Sequence, residues 1–578
     1  MNHNIEDSLY YHEKTKHSQA SVLNSHHYLD WNNRPNPFKV YANLSSIALP
    51  SDFPKPSMNA IDAINGDIYG KEKSPGLKLH ADEVIKSKHH YRPMRLTDLS
   101  SILFFTCGVT RQLKFDSGTF YMRAASATGA LYPIEVYLVC NNFPDDKLDA
   151  GVYHFNPGEF SLVPIRSGDY RKILSSYAGN DVEILKSPLS LIFTSNSWRN
   201  SWKYQSRSYR HWFWDLGVII ANLLAVIKSM GLETRLKMGF VDDQVNNLLG
   251  LQTHSEASLL IASIHSSAFP NMNKSERDSD GNFSPQYKTT LEPLSHETYP
   301  LSSKQTFYPD IWKAYDASKL INNREVISWS KVQSIKTTKK NREKSNVRKL
   351  YDLRKDLFNS DSMDGNALDI GKVILKRGSS RRFSNLSISR SVFSTVLLNA
   401  SYLDGKIPLD YKRDSSGLID FYVLVNSVEG LPSGGYYLDK HAAILEFLKK
   451  KPTDNYSGHL CLDQSLFANA SAVIFLMADL KMVLEILGNR GYRAAQLEAG
   501  IIAGKMYLLS YACGIGASGS TFYDNEVNTF FSHSGLRMET MIAIGIGVPA
   551  YKSKPGSILP VRLSRKQMIG NVSISNNF

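Results

Sequence analysis

Two long stretches of the chain carry apolar residues on most faces of a 3.6-residue repeat. They are SYRHWFWDLGVIIANLLAVIKSMGL at 208–232 and GYRAAQLEAGIIAGKMYLLSYACGI at 491–515, and the pattern predicts helices buried in a core rather than lying on a surface. Tyr209-Arg210 aligns with Tyr492-Arg493 at an offset of 492 − 209 = 283, and the match runs on through Gly217/Gly500 and Gly231/Gly514. Upstream, IEVYLV (134–139) and IDFYVLV (419–425) read as strands, and GVYHFNP (151–157) and GGYYLDK (434–440) as the hairpin strands that follow them. The same succession occurs twice, so the chain reads as two copies of one α+β unit.

The segment between the copies, 266–360, is polar, rich in Ser, Pro and Asn and only weakly periodic, which predicts a linker. The Pro-rich stretch 31–56 reads as an extended arm. The expected organisation is an N-terminal arm over 1–75, a first domain over 76–265, the linker over 266–360 and a second domain over 361–578.

Composition narrows the class. At 578 residues the chain is too long for one hydrophobic core, and 42% hydrophobic with 21% charged residues is the balance of a soluble globular protein. Four cysteines, none in a CxxC or a Cys/His cluster, predict neither zinc nor a disulfide framework, and a cytoplasmic location is the expectation. The N-terminus has no apolar targeting core, and the nearest approach to a membrane span, 215–232, is interrupted by Asp215, Asn222 and Lys228. The net charge of +13 owes part of its excess to KTTKKNREKSNVRK (336–349), seven bases and one acid, a run of the kind that stays solvated. Neither nucleic acid nor a membrane is expected as a partner.

Candidate chemistry starts at RGSSRRFSN (377–385). Paired guanidinium forks and a hydroxyl, here Arg377, Arg381 and Ser379, satisfy the oxygens of a phosphomonoester with charge-assisted bonds. The counterpart in the first copy, IKSKHHY (85–91), has Ile85 and His89 at the two arginine positions and keeps Ser87 alone, so it is not expected to hold a phosphate. His89-His90 lack a third ligand, and no metal is predicted. The losses run the other way elsewhere: GALYPIE (129–135) faces DSSGLID (414–420), and Lys203-Tyr204 faces Ile486-Leu487. GIGASG (514–519) satisfies GxGxxG but follows a helix, which argues against a dinucleotide fingerprint. Tyr209 and Arg210, present in both copies, read as structural, and Trp202, Trp212 and Trp214 as core or interface aromatics.

The RxSxRxF stretch at Arg377, Ser379, Arg381 and Phe383 is similar to the phosphate-binding start of the FMN-dependent nitroreductase superfamily. GALYPIEVYLV (129–139), YHEKTKHS (11–18) and DWNNRPNPFKVY (30–41) resemble its SagB-type dehydrogenase branch, which includes the azoline oxidases of thiazole/oxazole-modified peptides. The resemblance implies two tandem nitroreductase-like α/β domains packed as an intramolecular pseudo-dimer, with one FMN site shared between them. The second copy would supply Arg377, Ser379 and Arg381, and Lys552 and Lys554 of a KSK tripeptide would complete the phosphate site. Gly516, Ala517, Ser518 and Gly519 would lie at the polar edge of the flavin, where backbone N–H groups bond the ring or the glycines merely end a helix. The first copy would supply Arg123 and the loop Ser126, Ala127 and Gly129. That loop reads SATGALYP where the family has SAGALYP, so Ser126 sits one place early and Ala127 occupies the usual serine position. Lys203 and Tyr204 match the Lys-Tyr pair that azoline oxidases use to handle the proton accompanying hydride transfer.

The implied activity is FMN-dependent oxidation of a peptide or peptide-like heterocycle by a chain that is monomeric, with a biosynthetic partner protein as a further expectation. A nicotinamide-dependent nitro or quinone reductase, or a flavin-poor scaffold in a peptide-modification pathway, are the alternatives.

Overall fold

The computed structural model describes residues 2–65, 93–115, 118–143, 148–266, 291–294, 296–331, 349–357, 368–401, 407–411, 417–532 and 537–569. The first-copy stretch 85–91 lies outside the described residues, as does the basic run 336–349 except for Lys349.

Each predicted strand pair forms. IEVYLV becomes β4 (Ile134–Cys140), and the aromatic partner becomes β5 (Gly151–Asn156); in the second half these are β11 (Asp420–Val425) and β12 (Gly434–Asp439). Their continuous apolar character reflects burial on both faces: every residue of β4 and β5 is buried. In the first half, β4 and β5 join β1 (Ile47–Ala48), β6 (Ser161–Ser167), β7 (Leu189–Asn196), β8 (Leu232–Lys237) and β9 (Glu256–Ser266) in the order β1-β6-β5-β4-β7-β9-β8. The second half repeats that order as β10-β13-β12-β11-β14-β16-β15. Its remaining strands are β10 (Leu350–Asp352), β13 (Ile444–Lys449), β14 (Ala472–Ala478), β15 (Gly516–Ser520) and β16 (Glu539–Gly547). The first half adds a hairpin of β2 (Val109–Phe115) and β3 (Gly118–Arg123).

The helices that matter here, in chain order, are α1 (Glu6–Lys14), α2 (Ser197–Tyr204), α3 (Ser208–Ser229), α4 (Asp242–Leu248), α5 (Pro309–Ala317), α6 (Asn323–Ser330), α7 (Ile370–Lys376), α8 (Leu480–Leu487), α9 (Arg490–Ala512) and α10 (Asp524–Phe531). Shifting α2 by 283 positions lands on α8. The predicted central helices are α3 and α9, and they pack on each other in the middle of the molecule. Helix α3 is long and apolar enough to cross a membrane by length and composition, and nearly all of its residues are buried in this core.

The packing of α3 on α9 requires small residues at the crossing. A Cβ on Gly500 would stand 2.7 Å from the Phe213 carbonyl oxygen and 2.9 Å from Trp214 Cα, and a Cβ on Gly217 would run into Gly500 itself. The rings of Tyr209 and Tyr492, again 283 positions apart, lie parallel with centroids 6.3 Å apart. Counterparts that meet each other mark a pseudo-twofold axis through the two halves.

Buried ion pairs obey the same symmetry. Arg207, just before α3, and Arg210, in its first turn, each reach Asp524 on α10 of the other half at 2.9 Å. Arg490 and Arg493, at the start of α9, reach Asp242 on α4 at 2.7 and 2.8 Å. These side chains are almost wholly inaccessible, so each carboxylate stays ionised against two guanidinium groups, and losing one partner would strand a buried charge at a cost of about 3–5 kcal/mol. Arg210 is thereby structural, as expected from its presence in both copies.

The connecting segments depart from the reading of 266–360 as a bare linker. Its described part contains α5 and α6, which bury Trp312, Tyr315 and Trp329. The polar composition reports their exposed faces, while single large aromatics supply the buried ones. The N-terminal helix α1 docks on the second half, where His12 bonds the Tyr492 hydroxyl at 3.2 Å and Glu539 at 3.1 Å. The C-terminal tail crosses back to the first half, with Leu563 N–H donating to the Gly158 carbonyl and Ser557 N–H to that of Thr110.

Candidate active site

The second-half side of the site is built by RGSSRRF, which leaves α7 and runs between β15 and the segment after β16. Ser380 N–H donates to the Ala517 carbonyl, Ser384 N–H to that of Val548, and Ala550 N–H to that of Arg382. Arg381 N–H donates to the Tyr551 hydroxyl at 3.0 Å, which sets Lys552 and Lys554 just beyond the clamp. The fold therefore brings Ser379, Arg381, the KSK tripeptide and the glycine strand Gly516–Ser520 together.

Arg377 lies deeper. Its guanidinium is buried and donates to the Ala124 carbonyl at 2.9 and 3.2 Å and to the Arg123 carbonyl at 3.4 Å, so it ties the clamp to the first half's backbone. Arg111, on β2, returns the tie by donating to the Leu375 and Arg377 carbonyls at 2.6 and 2.8 Å.

The first-half side consists of the loop 124–133 and the end of α2. Gly129 adopts φ 62°, and a Cβ there would stand 2.8 Å from the Tyr204 hydroxyl, so the loop closes over the phenol because this residue has no side chain. Asp215, on α3, holds the loop by accepting from Thr128 N–H and Thr128 Oγ1, both at 2.7 Å, and Asn200 donates to its second oxygen at 3.2 Å. Burial pushes the Asp215 carboxyl up to about 6 against those three donors.

Lys203 and Tyr204 end α2, with the Lys203 ammonium 5.4 Å from the Tyr204 ring centre. Burial raises the Tyr204 phenol above the ordinary tyrosine value; Asp215 adds to the shift and Arg381 opposes it. Desolvation lowers the Lys203 ammonium, and the charges of Arg381 and Arg34 lower it further. Arg381 belongs to the second half and Lys203-Tyr204 to the first, so the pseudo-dimer brings the two predicted half-sites within electrostatic reach. On the Arg34 side lies a cavity of about 380 Å³, lined by Arg34, Phe38, Phe120, Met122, Ala130 and Ser303 among others.

Three predicted residues depart from their expected use: Arg377, expected to hold the phosphate, spends its guanidinium on the Ala124 and Arg123 carbonyls, and Arg123 and Gly519 are likewise engaged. Arg123 is buried, and its guanidinium donates to the carbonyls of Pro37 and Ile134 at 2.6 and 3.4 Å, so it braces the loop from behind rather than offering a free donor. Gly519 N–H is taken by the Tyr507 hydroxyl at 2.6 Å, which also lies 3.4 Å from Ser379 Oγ. Gly514, at φ 78°, ends α9, and the glycines after it form an edge strand, so GIGASG is not a helix-opening phosphate loop. Ser126 and Ala127 sit half-buried in the loop, at the edge of a small recess that Asp215 also lines.

Sequence reasoning missed Asp215, His211 and Tyr507. Asp215 had registered as an interruption of an apolar run, and a carboxylate inside such a helix is the signal that could have found it. Trp212 is core, and Trp214 donates to Gln496 across the halves at 2.6 Å. Trp202 donates to the Asp30 carbonyl at 3.2 Å, fastening the N-terminal arm beside the site.

The pseudo-symmetric image of the site is built differently. Ile486 and Leu487 stand where Lys203 and Tyr204 do, and the Leu487 carbonyl accepts from Trp329 Nε1 at 3.0 Å and Asn2 Nδ2 at 3.2 Å. The Asp410 carboxylate takes the N–H groups of Met238 and Gly239 at 2.9 and 2.8 Å. Glu498, the image of Asp215, keeps its role by accepting from Leu418 N–H at 2.6 Å and the Tyr411 hydroxyl at 3.0 Å.

The clamp fits a phosphate-bearing cofactor. Ser380 Oγ is buried without a hydrogen-bond partner, and a Cβ on Gly516 would strike it. Arg381, Lys552 and Lys554, all exposed, add three cations on the paired segments that flank the clamp.

Comparison with known proteins places this fold. Residues 374–547 match the Nitroreductase family. A protein of Methanocaldococcus jannaschii described as a nitroreductase is 27% identical over 162 residues, 28% of this chain and 77% of its own length. The microcin B17-processing protein McbC of Escherichia coli is 29% identical over 136 residues, 23% of this chain, and the chain spans 50% of that relative. A crystal structure of an Anabaena variabilis protein described as a nitroreductase superposes with a TM-score of 0.68 at 22% identity. It covers 94% of this chain and 99% of its own, so the fold of both halves together recurs in another protein.

Proposed function

From a chain whose residues 374–547 form a nitroreductase-family domain, and which is therefore an oxidoreductase of that superfamily, we propose an FMN-dependent dehydrogenase of SagB type with one composite site per chain. Its substrate is a peptide-borne five-membered heterocycle, oxidised from azoline to azole. The single observation that carries the reading is the junction of the two half-sites: Arg377 of the second-half clamp donates to the Ala124 carbonyl at 2.9 Å, at the start of the loop whose Gly129 lies against the Tyr204 hydroxyl, at a position whose image holds Ile486 and Leu487.

FMN, when bound, supplies the two-electron acceptor for hydride removed from substrate carbon. The chain supplies the rest. Ser379, Arg381, Lys552 and Lys554 hold the phosphate, with Arg377 locking that clamp to the first half. Tyr204, a neutral phenol that burial makes a weaker acid still, and Lys203, whose ammonium is eased toward releasing its proton, manage the proton that leaves with the hydride. Asp215 orients the loop over the phenol, and the cavity beside Arg34 receives the peptide. The likeness to the microcin B17-processing protein supports a substrate of that kind, and a biosynthetic partner protein is part of the same proposal.

The test is the absorption spectrum and flavin stoichiometry of the purified chain, followed by turnover of a thiazoline-bearing peptide by the protein, Lys203→Gln and Tyr204→Phe. About one FMN per chain, with turnover lost in both variants and flavin retained, is the expected result. Two FMN per chain, or none after reconstitution, would sink the composite site. The domain match also favours a second reading, nicotinamide-driven nitro reduction; bleaching of the flavin by NAD(P)H with turnover of a nitroaromatic and none of the thiazoline would establish it.

A further inference from the structure

His211 is fully buried on α3, and neither of its ring nitrogens has a hydrogen-bond partner. Its ring meets Tyr204 edge-on, with centroids 4.3 Å apart and planes at 75°, and lies on Trp214 at 4.6 Å and 29°. Burying an imidazole without partners costs about 1–3 kcal/mol, which an apolar ring in the same hole would avoid. The surrounding helix uses such rings freely at Trp212, Phe213 and Trp214.

The second half serves as an internal control. At the offset of 283, Tyr204 becomes Leu487, His211 becomes Ala494 and Asp215 becomes Glu498. The loop-holding acid is kept in both halves, whereas the phenol and the imidazole are present together or absent together. Glu498 keeps the acid's loop-holding contact in the half that has no phenol, whereas the imidazole goes where the phenol goes and touches it edge-on in the half that has both.

The groups acting on His211 are Arg207 from the segment before α3, His17 from the N-terminal segment, Arg210 from its own helix and Lys203 from α2. All are basic, and with burial they hold the ring neutral. Arg207 and Arg210 have their charges answered by Asp524, which keeps that cationic surround in place.

We propose that His211 is a positioning residue for Tyr204: it fixes the phenol ring against the 126–130 loop, and its unspent ring nitrogen accepts a hydrogen bond from the Tyr204 hydroxyl, directly or across one water, once the cofactor is in place. This rests on the assignment of Tyr204 as the proton-handling group. A phenol held by a neutral acceptor keeps its proton in a defined direction, which an apolar neighbour cannot arrange.

The experiment uses the full chain with His211→Phe, which fills the hole without a nitrogen, His211→Asn, which restores a polar atom, and His211→Ala, the residue of the second half. FMN content should stay at the wild-type level in all three. With the thiazoline peptide, kcat should fall at least tenfold in His211→Phe at unchanged KM and recover in part in His211→Asn; wild-type kcat in His211→Phe would overturn the proposal. The second readout needs no turnover: ring-nitrogen NMR of the 15N-histidine wild type, with His211 assigned by difference. A neutral ring from pH 5.5 to 8.5 whose nitrogen signal moves on FMN addition supports the proposal, whereas a ring titrating near the ordinary histidine value of about 6.5, or one unmoved by FMN, overturns it. Absence of wild-type turnover would instead defeat the thiazoline reading and leave His211 to be decided by its NMR signals.

Discussion

Gly217 on α3 and Gly500 on α9, counterparts at an offset of 283, pack against each other at the crossing of the two halves. The crossing is as tight as main chain on main chain allows, since a Cβ on Gly500 would stand 2.7 Å from the Phe213 carbonyl oxygen. Helix α2, which ends in Lys203-Tyr204, packs on α3, and α7, which leads into the clamp, packs on α9, so the registry of the two central helices bears on how the half-sites meet.

Gly500→Ala should therefore damage the whole protein rather than one helix. The added methyl meets backbone, which cannot move aside as a flexible side chain would, and overpacking of this kind costs about 1–3 kcal/mol or more. The expected outcome is a urea midpoint clearly below that of the parent together with weaker FMN retention, and an unchanged midpoint would show that the helices can slide apart.

Gln205 follows Tyr204 at φ 48°, ψ −140°, and its counterpart Gly488 has φ 68°, ψ −163°. A non-glycine residue in this region carries on the order of 1–3 kcal/mol of strain. Gln205→Gly should raise the melting temperature while lowering turnover, because the strained residue helps hold the end of α2 where the phenol faces the loop. A variant no more stable than the parent would show that the strain is relieved elsewhere.

The cations of the clamp should separate into two classes. Lys552 and Lys554 are exposed, so Lys552→Gln and Lys554→Gln should weaken FMN binding by about tenfold each, a loss of roughly 1.4 kcal/mol, with no change in the melting temperature of the flavin-free protein. Arg377→Ala should lower both, because its buried guanidinium also joins the halves through Ala124. Fluorescence titration with FMN beside thermal melts of the apoprotein separates the cases.

The pH dependence of stability has a sign that Asp215 sets locally. Its carboxyl is pushed up to about 6 in the fold from the ordinary aspartate value, so between roughly pH 4 and 6 the folded state binds more protons than the unfolded one, and this group's contribution falls as pH rises. Asp215→Asn removes that slope, so the variant should gain on the parent across the window and hold a constant difference above it. His12, lowered to about 4 by burial and Arg210, acts in the opposite sense: its neutral folded form costs stability as pH falls from about 6.5 to 4. Melting temperatures of the parent, Asp215→Asn and His12→Gln from pH 4 to 8 test both signs, and parallel curves would remove both groups from the account.

Much of the architecture was legible along the chain because it is written in local periodicity. Residues 208–232 and 491–515 are apolar on most faces, and they form the two central helices to within a few residues at their ends. The strands IEVYLV and IDFYVLV were readable for the same reason, and their repetition predicted two copies of one α+β unit, which the two sheets of identical strand order match. The RxSxRxF stretch was readable as residue types suited to an anion, while the KSK tripeptide and the Lys-Tyr pair were singled out by the family resemblance. Periodicity failed in 266–360, where Trp312 and Trp329 are single buried contacts within polar helices and leave no repeating signal.

What the sequence determined by itself is which segments are buried and which carry charge suited to a phosphate, since burial and charge belong to residues and their neighbours in the chain. Which groups become partners was decided by tertiary structure. Arg377 binding Ala124, Asp215 holding Thr128, His211 lying against Tyr204 and the exchange of Arg-Asp pairs between halves are separated by between 7 and more than 300 positions. Hydrogen bonds and ring contacts act over a few ångströms, so the pattern along a chain can announce a donor or a ring, but the packing of α3 on α9 chooses what it meets.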